Sequence, residues 1–120
     1  MSQHSFNEKI DRGIVALSMS GNSAYVGWRL LKRDPPDVTF NIYRNEVGLP
    51  GYRKINEEAV RTTTDYIDRT ARGGKAYRYQ VKAVIKGKEE NSQGEATLFM
   101  MSASQPYYSI KLRDNTQPKR

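Results

Sequence analysis

The chain has 120 residues, no cysteine, one histidine and a formal net charge of +7, from 20 lysines and arginines against 13 acidic residues. That length holds one core rather than two, and the missing thiols exclude a disulfide framework, a thiolate metal site and a cysteine nucleophile. No apolar run reaches the roughly 18 residues of a spanning helix, and Met1-Ser-Gln-His-Ser-Phe6 lacks the basic-then-apolar order of an export signal. The chain as given therefore reads as soluble, unsorted and without membrane contact.

Met1 to Lys9 carry no periodicity and predict a loose lead-in. Ile10 to Met19, β-branched and apolar, predict a first strand, and Gly21-Asn22 the turn after it. Ala24 to Leu31 alternate, with Ala24, Val26, Trp28 and Leu30 on one face. Lys32 to Asp37 contain two prolines, which forbid helix and central strand, so a loop is expected. Thr39 to Arg44 alternate again, Phe40 and Ile42 inward and Asn41 and Tyr43 outward, until Asn45 to Gly51 break the pattern. Tyr52 to Ile55 suggest a short edge strand and Asn56 to Arg61 a single helical turn. Thr62 to Asp68 read as a further strand.

The clearest alternation runs from Ala76 to Ile85, where Tyr77, Tyr79, Val81 and Ala83 share one face and Arg78, Gln80 and Lys82 the other. Its apolar face is the expected partner of Trp28 across a core between two sheets. Lys86-Gly-Lys88 predicts a turn, Glu95 to Met100 the last core strand, and Tyr107 to Leu112 an extended segment before a charged tail. Seven or so short strands at intervals of about ten residues predict an all-β, antiparallel β-sandwich. Tyr77, opening a strand after a turn, suits the corner at which a hydroxyl bonds back to backbone in immunoglobulin-like folds. The implied division is a lead-in over 1–9, a sandwich over 10–104 and an exit strand and tail over 105–120.

Basic residues are scattered rather than grouped, so nucleic acid is not an expected partner despite the positive charge. Asp34 and Asp37 flank Pro35-Pro36 and offer two oxygens where calcium takes six to eight; a turn is the simpler role, and Asp65 and Asp68 read the same way. Gly73-Gly74 lacks the following helix of a phosphate cradle and reads as a hairpin turn. Aromatic side chains carry the remaining potential. Tyr25 and Tyr43 point away from the predicted core and Tyr52 sits near an edge, with Arg44 and Arg53 beside them. Such a group can stack on sugar rings or pack against another protein surface.

The segments Ile10-Asp-Arg-Gly-Ile-Val-Ala-Leu17, Val26-Gly-Trp-Arg-Leu-Leu31, Phe40-Asn-Ile-Tyr-Arg-Asn45, Asp65-Tyr-Ile-Asp68, Tyr77-Arg-Tyr-Gln-Val-Lys-Ala-Val84 and Gln105-Pro-Tyr-Tyr-Ser-Ile-Lys-Leu112 occur in a characteristic order. In that order the chain resembles the N-terminal, fibronectin type III-like sandwich domain of rhamnogalacturonan lyases of polysaccharide lyase family 11. Lys111 stands where the pattern has proline. The resemblance implies a core at Trp28, Phe40, Ile42, Tyr66, Tyr77, Val81 and Ala83. It also implies a catalytic β-propeller in the same polypeptide that holds Ca2+ and cleaves pectin by β-elimination, and a secreted, periplasmic or cell-surface location. None of the family's catalytic or calcium positions falls on this chain. β-Elimination needs a base and a cation for the developing enolate, whereas His4 lies in the lead-in and no lysine sits in a constellation with carboxylates. The chain is therefore expected to be a non-catalytic accessory domain without a cofactor of its own. Tyr25, Tyr43, Tyr52, Arg44, Arg53, Tyr107 and Tyr108 are its expected contacts, either with the propeller or, in a stand-alone binding module, with acidic pectic polysaccharide.

Overall fold

The computed structural model describes residues 11–102; the lead-in, His4, the exit segment with Tyr107, Tyr108 and Lys111, and the tail lie outside the described residues. The strands are β1 (Val15–Ser20), β2 (Ser23–Gly27), β3 (Thr39–Glu46), β4 (Arg53–Lys54), β5 (Asp65–Asp68), β6 (Ala76–Ile85), β7 (Lys88–Glu89) and β8 (Ala96–Phe99). One sheet has the order β1-β2-β5; the other has the order β4-β3-β6-β7, with β8 also on β6. All pairings are antiparallel. This is the expected all-β sandwich, and its organising strand is β6, which pairs with β3 from Thr39↔Val84 to Glu46↔Tyr77.

The core lies between the sheets. β2 contributes Ala24 and Val26, β3 Phe40 and Ile42, and β6 Tyr77, Tyr79, Val81 and Ala83, all buried as two-residue alternation requires. Trp28 stays buried just past the end of β2 and packs edge-on against Phe40, with ring centroids 5.3 Å apart. Tyr66 is half-buried against this core. The Arg72 amide donates to the Tyr77 hydroxyl at 3.0 Å, so the corner expected of that tyrosine is present.

Three expectations change. Leu30 is 58% exposed rather than in the core, because the strand ends at Gly27 and Arg29 N then donates to Arg12 O, carrying the chain away from the sheet. The helical turn at Asn56 to Arg61 is absent. Asn56 there uses its side chain in place of a strand, accepting from Ile42 N at 2.8 Å and donating to Glu58 O, before Val60 bridges Phe40. The turn after β6 is tighter than Lys86-Gly-Lys88: Lys86 and Gly87 both take positive φ, as a two-residue hairpin turn demands, and Lys88 already pairs with Ile85 in β7.

Candidate functional site

The most concentrated chemistry lies inside the sandwich. Asp68, at the end of β5 and buried, accepts from the Tyr79 hydroxyl at 2.7 Å, from Arg44 Nη1 at 2.8 Å and from both the amide and hydroxyl of Thr70. The Arg44 guanidinium lies over the Tyr77 ring, 4.6 Å from its centroid. Burial opposes ionisation of Asp68, but the hydrogen bonds from Tyr79, Thr70 and Arg44 outweigh it and hold the carboxyl below its usual range. Burial, then the hydrogen bond to Asp68, raises the Tyr79 hydroxyl. Both oxygens of the Asp68 carboxylate are engaged within the fold, so the cluster ties the sheets together and leaves this carboxylate turned away from any substrate.

A second ion pair closes the other end. Arg12, 1% exposed, donates from both Nη1 and Nη2 to Asp34 at 2.7 and 2.8 Å, and its guanidinium lies over Phe40. The hydrogen bond from Arg12 is the main reason the Asp34 carboxyl is held below its usual range. Asp34 also accepts from Leu31 N, which leaves it engaged by the protein rather than by a cation. Beside it, Leu30, Pro35, Pro36, Val38 and Thr62 to Thr64 wall an open cleft of about 400 Å³. Asp37 is exposed on the same loop. Among the described residues, no group of three or more His, Asp or Glu side chains is placed to hold a metal.

The three candidate tyrosines do not form one surface. Tyr43 and Tyr52 belong to the outer side of the β4-β3-β6-β7 sheet. Tyr43 donates to Glu89 and carries Lys82 Nζ 4.4 Å from its ring centroid. Tyr52 donates to Glu95, which also accepts from Gln80; burial and this bond push the Tyr52 hydroxyl up to about 12. Arg53 is exposed at the edge strand β4 and faces Arg44 across the pair, but the Arg44 guanidinium is turned inward to Asp68. Tyr107 and Tyr108 are outside the described residues.

Tyr25 stands on the outer side of the other sheet. It forms a cross-strand row with Leu17 and Ile67, and its ring lies down over Gly27, where a Cβ would meet Tyr25 Oη at 2.8 Å and Cε2 at 2.9 Å. On β1 the alternation runs in an unexpected sense. Ala16 and Ser18 face inward, whereas Val15, Leu17 and Met19 stand outward at 50%, 59% and 49% exposure. Sequence reading missed this face, although Val-Ala-Leu-Ser-Met carries the signal: its larger apolar residues all share one parity.

Comparison with known proteins places this geometry. The chain is 33% identical over 105 residues to the rhamnogalacturonan endolyase YesW of Bacillus subtilis (strain 168), covering 88% of this chain and 15% of that protein. It is 27% identical over 92 residues to the rhamnogalacturonan exolyase YesX of the same organism, covering 77% of this chain and 14% of that protein. The chain thus spans about a seventh of the length of these curated relatives. Among solved structures, an Fn3-like protein from Clostridium thermocellum matches with 32% identity and a TM-score of 0.59, over 78% of this chain and 93% of that one. The sandwich is therefore fibronectin type III-like. Residues 5–99 match the family described as the rhamnogalacturonan I lyases beta-sheet domain, and the chain belongs to that family.

Proposed function

We propose that this chain is a non-catalytic accessory domain of a rhamnogalacturonan lyase, packed against the catalytic β-propeller of the same polypeptide. The observation that carries this reading is proportion: the chain matches only 15% of an endolyase and 14% of an exolyase, over a family defined as their β-sheet domain. The internal chemistry supports it, because Asp34, Asp68, Arg12 and Arg44 are spent on joining loops and sheets. Calcium and the elimination chemistry belong, on this reading, to the propeller, and the parent enzyme works outside the cytoplasm, where pectin is found.

A second reading is a binding module for acidic pectic polysaccharide. The cations Lys54 and Lys82 beside Tyr43 favour it. Against it, Lys82 already covers the Tyr43 ring, and Glu89 and Glu95, which hold the two tyrosine hydroxyls, would repel a polyuronate. Two measurements on the 120-residue chain separate the readings. Incubated with rhamnogalacturonan I and calcium, it releases no unsaturated uronate absorbing in the ultraviolet; sustained release would overturn the accessory reading. Titrated with rhamnogalacturonan oligosaccharides in heteronuclear NMR, it shows no saturable shifts at Tyr25, Tyr43 or Tyr52; clustered shifts there would replace the accessory reading with the binding module.

A further inference from the structure

We infer that the outer face of the β1-β2-β5 sheet is the surface that docks on the rest of the lyase polypeptide, an inference that rests on the accessory-domain reading and says which face does the docking. The pleat of β1 is inverted relative to a free-standing strand: its larger apolar side chains, Val15, Leu17 and Met19, face outward and its small ones inward. Leu17, Tyr25 and Ile67 form a continuous row across all three strands. Glycine at position 27 lets the Tyr25 ring lie flat and extend that row toward Val15, which pairs with Gly27. A contiguous apolar face of this kind on a sheet exposed to water marks an interaction surface.

Two observations select the occupant. The first is charge: from β1, β2 and β5, Asp65 is the only charged residue whose register puts it on this face. Strands that put no cation on the face suit apolar protein surface and disfavour a polyuronate. The second is where the chain leads. Met101 N donates to Ser18 Oγ of β1, and Ser102 lies against Gly73 beside Gly21, at the turn between β1 and β2. Ser102 thus leaves the domain at the β1–β2 turn, at one end of the sheet that carries this face, and in the relatives this domain is about a seventh of a much longer chain. The opposite outer face also exposes Phe99 of β8 but is otherwise polar, with Tyr43 and Tyr52 hydrogen-bonded to Glu89 and Glu95 and Arg78 paired with Glu95.

Hydroxyl-radical footprinting tests this on the isolated 120-residue chain and on the full lyase polypeptide carrying the domain. The expected result is a several-fold slower modification of Leu17, Met19 and Tyr25 in the full lyase, with Tyr43 and Tyr52 unchanged. Slowing at Tyr43 and Tyr52 alone keeps the accessory reading and overturns the choice of face. No slowing at any of these residues overturns both. Sedimentation of the isolated chain and of its Leu17→Asp variant covers the remaining occupant: a dimer that Leu17→Asp abolishes, with no protection gained in the full lyase, assigns the face to a second copy and overturns the proposal.

Discussion

Asp68 concentrates more stabilising interactions than any other side chain described here. Removing one partner from a buried, hydrogen-bonded ion pair strands the other charge in a medium that solvates it poorly. Asp68→Asn is therefore expected to lower unfolding stability by about 3 kcal/mol, and Tyr79→Phe, which removes a single hydrogen bond to a charged acceptor, by about 2 kcal/mol; urea denaturation at neutral pH measures both. The same carboxylate sets an acid limit. Asp34 and Asp68 are both held below their usual values in the folded chain, so between the folded and unfolded values the unfolded chain binds more protons. Their contribution is complete above about pH 4 and is lost as pH falls through the lowered folded values. Denaturation midpoints across that range should drop steeply in the parent and less in Asp34→Asn; parallel curves would show that Asp34 is not a source of the slope. Neither pair was legible beforehand. Arg12 and Asp34 are 22 positions apart and Arg44 and Asp68 are 24 apart, and alternation marks which face a residue takes without naming its partner.

At the level of elements, what could be read was what period two reports. β6 alternates from Ala76 to Val84 and β3 from Thr39 to Tyr43, and both bury the predicted residues, because both faces of each strand have distinct surroundings. β7 escaped notice because two residues carry no period. The helical turn at Asn56 to Arg61 was misread because local composition there is decided by one asparagine side chain that replaces backbone pairing. β1 was read as a strand but not as a face. Its inner residues are small where β8 and Met100 come close, with Ser18 Oγ donating to Met100 Sδ, so its larger residues were left to the outside. The joint that closes this edge is Gly73, where a Cβ would sit 2.7 Å from Met101 O, 3.0 Å from Ser102 Cα and 3.1 Å from Gly21 O. All three are backbone atoms and none can swing aside. Gly73→Ala should cost about 1–3 kcal/mol and should raise amide exchange in β8 and the β1–β2 turn; unchanged exchange would mean that the three segments are not clamped together.

For the whole molecule, the two outer faces differ in kind. One is largely polar, with Asn41, Tyr43, Tyr52, Gln80 and Arg78 meeting Glu89 and Glu95 and Phe99 exposed beside them; the other is apolar, with Asp65 the one charge its strands place there. Net positive charge describes neither, which is why the composition pointed only loosely toward an anionic partner. Family membership was legible because ordered strand motifs survive at 33% identity over most of the chain. No function was legible outside that membership, since the charged residues that could be enlisted for chemistry are the ones holding the sandwich together. An accessory domain seated on a larger neighbour shares its melting with that neighbour, whereas one on a loose tether melts as it does alone. Differential scanning calorimetry of the full lyase polypeptide beside the isolated chain tests this most directly. The expected result is that the domain's own transition disappears into, or moves up toward, that of the catalytic part. A separate transition at the isolated chain's temperature would contradict it.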